Sequence, residues 1–192
     1  MGNAESITFT QQEEFRNLSK QTGFSLAQIE RLHDRFGQLD QEAKGFLEHQ
    51  DLLSIRSLMT NPLGERFVQL LLETSDNERV SFGQFVRFLS TFIPIRKGLT
   101  SSEKKAAARQ KIWLLFKIYD LDNENKIGDQ HLIVIFKLML GDALKTDKAA
   151  EMAVEILQEV DQEGIGFINF EEFYRTVRKI EVDQKMSISF MN

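Results

Sequence analysis

Apolar residues recur along the chain at helical spacing, in stretches separated by short acidic segments. Residues 25–38 open on a capping box, Ser25 with Gln28, and carry Leu26, Ile29, Leu32 and Phe36 on one face, which predicts an amphipathic helix. Asn61-Pro62 is a helix start, with Asn as N-cap and Pro at the first helical position, and Leu63, Phe67, Leu70 and Leu71 form the stripe that follows. Phe82, Phe85, Leu89 and Phe92 make the next apolar face, and Pro94 ends it. Ile112, Leu115, Phe116 and Tyr119 lie on one side of a long helix from about Ser102 to Tyr119. Trp113 falls off that stripe, which leaves two places for it: packed on the linker or, the outcome burial favours, filling the core. Thr146 is the expected N-cap of a helix carrying Met152, Ile156 and Val160, and Phe170, Phe173, Val177 and Ile180 mark the last one.

One stretch departs from the pattern. Leu132, Ile133, Val134, Ile135, Phe136, Leu138, Met139 and Leu140 cover nearly the whole circumference of a helix. A surface helix needs only one apolar stripe, so this one must be covered on several sides. Either the core covers everything, or one face lines a groove for the helix of another protein.

The segments between these helices share a frame. Asp120 to His131 places oxygen-bearing side chains at positions 1, 3 and 5 (Asp120, Asp122, Glu124) and Ile127 at position 8. This is the frame of a calcium-binding EF-hand, in which Gly at position 6 makes the turn and a bidentate Glu at position 12 completes the oxygen shell. Asn125 and His131 occupy those places here. Asp161 to Glu172 has Asp161, Glu163, Gly166, Ile168 and Glu172 in register, but Ile165 at position 5 offers no side-chain oxygen. Asp40 to Asp51 keeps Gly45 and Leu47, with Lys44 where a ligand belongs and the shorter Asp51 at position 12. Glu73 to Gln84, aligned on Val80, has Glu78 in place of Gly and is the most eroded.

Leu47, Val80, Ile127 and Ile168 therefore mark four hands. A β-compatible apolar residue at position 8 is needed for the short strand that pairs two loops, whatever the metal does. The expected fold is all-α: a two-lobed EF-hand protein whose four hands pair through short β-strands. The lobes are expected at 25–93 and 106–181, with an N-terminal arm and helix over 1–24, a linker over 94–105 and a tail over 182–192.

Hand three could offer calcium Asp120, Asp122, Glu124 and the Lys126 carbonyl; hand four could offer Asp161, Glu163, the Phe167 carbonyl, Asn169 and Glu172. The expectation is weak calcium binding at most, in hand four before hand three, with hands one and two structural.

The chain of 192 residues is long enough to bury a core, and its net charge of −5 argues against nucleic-acid binding. There is no cysteine, hence neither a disulfide framework nor a thiol site. His33, His49 and His131 have no nucleophile at motif spacing, so an enzyme is the least expected reading. Met1-Gly2-Asn3-Ala4-Glu5-Ser6 matches the N-myristoylation pattern, with Gly2 as the lipid site. A single myristoyl chain attaches only marginally, so a membrane-embedded partner or the basic set Arg96, Lys97, Lys104, Lys105, Arg109 and Lys111 would have to add a second anchor. That set reads equally as a solvated charge run. The tail alternates Met186, Ile188 and Phe190, which are expected to pack on the C-terminal lobe or on a partner.

Gln21-Thr22-Gly23-Phe24-Ser25, Asn61-Pro62-Leu63-Gly64-Glu65-Arg66, Tyr119-Asp120-Leu121-Asp122 and Val182-Asp183-Gln184-Lys185-Met186-Ser187-Ile188 together resemble the calcineurin B homologous proteins. Calcineurin B itself is similar at greater distance. The resemblance implies a myristoylated, cytoplasmic EF-hand cofactor, peripheral to the plasma membrane or to endomembranes. It would bind an amphipathic juxtamembrane helix of a sodium/proton exchanger and support the exchanger's stability and activity. The docking groove it implies includes Leu132, Ile133, Ile135, Phe136, Met139, Leu140, Phe173 and Val177. Two other roles stay open: a regulatory subunit of a phosphatase, and a calcium sensor or buffer. The hands that carry calcium in that family are both altered here, and the stretch after Pro94 is shorter than the family's inter-lobe insertion.

Overall fold

A computed structural model of the chain describes residues 9–95 and 98–178. The described residues are helical apart from loops and two very short strands. In chain order they form α1 (Phe9–Thr22), α2 (Leu26–Leu39), β1 (Phe46–Leu47), α3 (His49–Leu53), α4 (Arg56–Met59), α5 (Gly64–Glu73), β2 (Val80–Ser81), α6 (Phe82–Ser90), α7 (Ser101–Tyr119), α8 (Asp129–Leu140), α9 (Thr146–Val160) and α10 (Phe170–Val177). The all-α expectation holds. Gly2, Arg96, Lys97, Ile180 and the tail with Met186, Ile188 and Phe190 lie outside the described residues.

Local chemistry sets the helix ends. The Gln28 N–H donates to Ser25 Oγ and the Ser25 N–H donates to Gln28 Oε1, closing the capping box of α2. Thr100 and Glu103 do the same for α7, which therefore begins within the stretch expected as linker. The Asn61 side chain accepts the Leu63 N–H, and α5 itself begins at Gly64, later than the Asn-Pro signal suggests. No other residue suits that start: a Cβ on Gly64 would sit 1.9 Å from the Leu58 carbonyl oxygen. Lys145, not Thr146, occupies the N-cap of α9, and Thr146 is its first helical residue.

The described residues divide into two compact units, one of residues 9–55 and 71–90 and one of residues 56–70, 91–95 and 98–178. In the first, β1 and β2 pair antiparallel with Leu47 opposite Val80. Both residues are fully buried, as are Ile29, Leu52 and Val86 of the same unit. Phe82 is ringed by Phe15, His33 and Phe36 at centroid distances of 5.7, 5.1 and 5.5 Å. Rings at such distances add edge and face attraction to the area they bury.

In the second unit Ile127 and Ile168 form an antiparallel bridge, each N–H donating to the other's carbonyl at 3.0 and 2.9 Å. The position-8 residues are thus paired as expected, Leu47 with Val80 and Ile127 with Ile168. Phe116 is fully buried at the centre, with Trp113, Phe170 and Phe173 around it at 5.7, 5.6 and 5.5 Å. Trp113 is not the core residue expected of it: it packs on this cluster but keeps 41% of its surface exposed.

Candidate functional site

The loops share a backbone built for enclosing something. Positions 4 and 6 are left-handed in hand one (Ala43, Gly45), hand three (Asn123, Asn125) and hand four (Gly164, Gly166). Asn tolerates that region better than most residues, which is how hand three does without its glycine. Hand two differs, with the left-handed residues adjacent at Asn77 and Glu78. The first Asp of a loop holds the turn through its carboxylate. Asp40 accepts the Lys44 and Gly45 N–H groups, and Asp161 accepts those of Ile165 and Gly166. Of the loop's backbone N–H groups Asp120 accepts that of Asn125 alone, through Oδ2, and its buried Oδ1 is unpartnered.

Position 12 closes the loops of hands one, two and four onto the next helix. Asp51 accepts the Glu48 N–H at 2.9 Å, Gln84 the Ser81 N–H at 2.8 Å and Glu172 the Asn169 N–H at 3.1 Å. In hand three α8 starts on Gly128 without a side-chain cap, and His131 turns instead to Asp122, Nε2 to Oδ2 at 3.3 Å.

Hand one carries its own cation. Lys44 Nζ lies 3.0 Å from both Glu48 and Asp51, and 3.7 Å from Glu42. Hydrogen bonds that the ammonium donates to Asp51 and then to Glu48 hold it well above the usual lysine range, burial opposing them. A raised lysine pKa contributes stability that is fully present below the unfolded value of 10.5 and is lost only as pH rises through the folded one. Lys44→Met should therefore lower the thermal midpoint by the same amount from about pH 7 to about pH 10. The difference from wild type should fade above that window. Thermal melts across the range test it, and equal midpoints at neutral pH would contradict it.

The calcium ligands expected in hand three are only partly assembled. Asp120 and Asp122 come together with His131, one ligand atom of each lying within 4.8 Å of the others. Glu124 is exposed and ion-paired with Lys126. Lys117 Nζ holds Asp120 Oδ2 at 2.6 Å. Burial pushes the Asp122 carboxyl up, but the Glu124 N–H, the nearby His131 and Asp120 outweigh it and hold the carboxyl below the usual range. A hard, oxygen-seeking cation is poorly matched to an imidazole and two competing ammonium groups.

In hand four, Asp161, Glu163 and Glu172 are not drawn together to that distance. Glu172 is buried, with Oε1 accepting the Gln162 and Glu163 N–H groups. Asn169 caps α10 by accepting the Glu172 N–H, and the Phe167 ring lies under Lys126. The donors there are all oxygen, so calcium suits them chemically, but Glu172 would have to leave its backbone partners.

Of the expected groove, Leu132 and Ile135 are buried in the core and give a partner no surface, Leu132 in the same cluster as Phe116 and Val160. Ile133, Phe136 and Phe173 are half-buried against that core, and Val177 is half-buried against Ile112 and Tyr174. Met139 and Leu140 are exposed, and so are Val134 and Leu138, which the expected groove set omits. The basic set also shrinks: Lys111 is buried, and Arg109 pairs with Glu171 while lying over the Phe170 and Tyr174 rings. Lys104 and Lys105 remain exposed.

Arg66 belongs to the site although the segment 61–66 that carries the family resemblance assigned it no role there. It is buried, and its Nη2 donates to the Lys117 and Asp120 carbonyls at 2.7 Å each, fixing the point where α7 becomes the hand-three loop. Its place between Leu63 and Leu70, on the stripe of α5, was the available signal.

Paired helix–loop–helix units joined through position 8 define an EF-hand protein. No family model matches the chain. It is 33% identical over 167 residues to the calcineurin B of Yarrowia lipolytica, covering 87% of this chain and 90% of that protein. It is likewise 33% identical over 180 residues to the type 2 calcineurin B of Dictyostelium discoideum, covering 93% and 92%. With the calcineurin B of Naegleria gruberi the identity is 30% over 176 residues, covering 92% and 93%. The chain belongs to the calcineurin B family.

Proposed function

We propose that this chain is a non-enzymatic regulatory subunit that holds an amphipathic helix of a protein phosphatase catalytic chain. The observation that carries the reading is α8, whose inward side builds the core while Val134, Leu138, Met139 and Leu140 stay 42–52% exposed. Val134 and Leu138 stand four residues apart on one face, the spacing at which a docked helix meets a partner. The calcineurin B relatives supply the class of partner.

Docking is constitutive. Hand three offers calcium a mixed and crowded donor set, and a ligand that does not bind cannot shift an equilibrium. Calorimetry of the full chain with calcium, in the presence of magnesium, should show no site tighter than about micromolar. The calcium of hand four, when bound, would be held by Asp161, Glu163, the Phe167 carbonyl, Asn169 and Glu172, and would stiffen that loop.

A second reading is favoured by the segments at 21–25, 61–66, 119–122 and 182–188, which resemble the calcineurin B homologous proteins. There the docked helix belongs to a sodium/proton exchanger, and a myristoyl group on Gly2 adds membrane attachment. Affinity purification of the full chain separates the two: a soluble phosphatase catalytic chain supports the first, an integral membrane exchanger the second. The double variant Leu138→Glu, Met139→Glu should weaken binding of the recovered partner's helix by at least roughly tenfold, read by peptide titration. Both side chains are exposed, so the fold should be unchanged in circular dichroism. Unaltered peptide affinity would remove α8 as the docking ridge.

A further inference from the structure

We propose that hand three is a site for a divalent transition-metal ion of the zinc type, held by Asp120, Asp122 and His131. Two carboxylates and an imidazole form a nitrogen–oxygen donor set, which suits zinc and related ions and is poor for calcium. One ligand atom from each of the three lies within 4.8 Å of the other two. His131 Nε2 and Asp122 Oδ2 are 3.3 Å apart. Two ligands of a tetrahedral ion with bonds of about 2.0–2.1 Å stand roughly 3.3 Å from one another, so that pair needs no rearrangement.

Asp120 supplies the independent observation. It is wholly buried, and its Oδ1 accepts no hydrogen bond, whereas the equivalent oxygens of Asp40 and Asp161 are both taken by backbone N–H groups. Its other oxygen already holds Lys117 and the Asn125 N–H, so the carboxylate is fixed in place with one free atom. An unsatisfied buried carboxylate oxygen is costly to keep, and a metal ion satisfies it. The fourth position is left to water, since Glu124 is engaged by Lys126.

The substitution at position 12 thus changes the kind of ion the loop selects. This inference does not depend on which partner α8 holds, and its test uses metal alone. Zinc is titrated into metal-free full-length protein by calorimetry, and cobalt is added in parallel to read the visible bands of a low-coordinate centre. The expected result is one site of micromolar affinity or tighter, which calcium at about 1 mM does not displace.

His131→Gln should weaken that site at least roughly tenfold and abolish the cobalt bands, and Asp122→Asn should do the same without touching a buried residue. Circular dichroism of both variants checks the fold. Wild-type protein that binds no zinc overturns the proposal and leaves His131 as a side-chain partner of Asp122 alone. Zinc binding that survives both substitutions places the ion elsewhere, and overturns it equally.

Discussion

His131→Glu should give hand three a calcium site, raising its affinity for calcium on the order of a hundredfold over wild type. The donor set carries the gain. The set Asp120, Asp122, Glu124 and the Lys126 carbonyl becomes an all-oxygen shell, closed by a bidentate carboxylate at position 12. Without calcium the new carboxylate, at the third helical position of α8, can accept the Gly128 N–H as Glu172 accepts that of Asn169, a bond with which calcium would compete. A negative charge near a helix N-terminus is favourable by about 0.3–1 kcal/mol, which steadies the calcium-free variant and keeps it folded for the comparison. Against the gain stand Lys117 on Asp120 and Lys126 on Glu124, both of which calcium would have to displace. The backbone needs no change, because Asn123 and Asn125 already hold the left-handed turns of the loop. Calorimetry gives the affinity, and thermal melts give a second reading: calcium at about a hundred times its dissociation constant should add about 2.7 kcal/mol to the stability of the variant. Wild type should shift little under the same conditions. A variant whose calcium heat matches wild type would show that the lysines, rather than His131, are what keep calcium out.

The fold was legible because its determinants are local. Leu47, Val80, Ile127 and Ile168 stand at the same place in their loops, and the antiparallel pairs they form need only a β-compatible apolar residue there. Ser25 with Gln28 closed the capping box its spacing announced. The site was less legible, because it depends on which side chains tertiary packing brings together. Lys44 reads in sequence as a lost ligand, and in the structure it is the cation that gathers Glu48 and Asp51. His131 reads as a defect, and only its distance from Asp122 and the orphaned oxygen of Asp120 give it a partner set. Periodicity showed that α8 is apolar all round but not that Leu132 and Ile135 face inward while Val134 and Leu138 face out. Arg66 carried a charge on an apolar stripe, and its purpose lies in two carbonyls more than fifty residues away in sequence. Trp113 misled for a related reason: its stripe places it off the core face, yet Phe116 and Phe170 give it an aromatic seat that still faces solvent.

Phe116→Ala should destabilise the second unit by about 3–5 kcal/mol. Phe116 is fully buried and belongs to the same cluster as Ile127, Leu132, Ala153, Val160 and Ile168. Its removal leaves a cavity walled by Phe170, Phe173 and Trp113, which cannot all collapse into it because they are anchored on two different helices, α7 and α10. The aromatic pairs add to the loss, since edge-on and stacked contacts are worth about 0.5–1.5 kcal/mol beyond the area they bury. The bridge between Ile127 and Ile168 rests on this cluster, so the pairing of hands three and four should fail with it. Trp113 is the only tryptophan of the chain and stacks on Phe116 at 5.7 Å, which makes its fluorescence a reporter of this unit. In a urea titration the fluorescence transition of the variant should move to much lower denaturant, while far-ultraviolet dichroism retains a later phase from the helices of the first unit. A shift in the fluorescence midpoint equivalent to less than about 1 kcal/mol would mean that Phe116 is not the centre of the core that orders the hand-three loop.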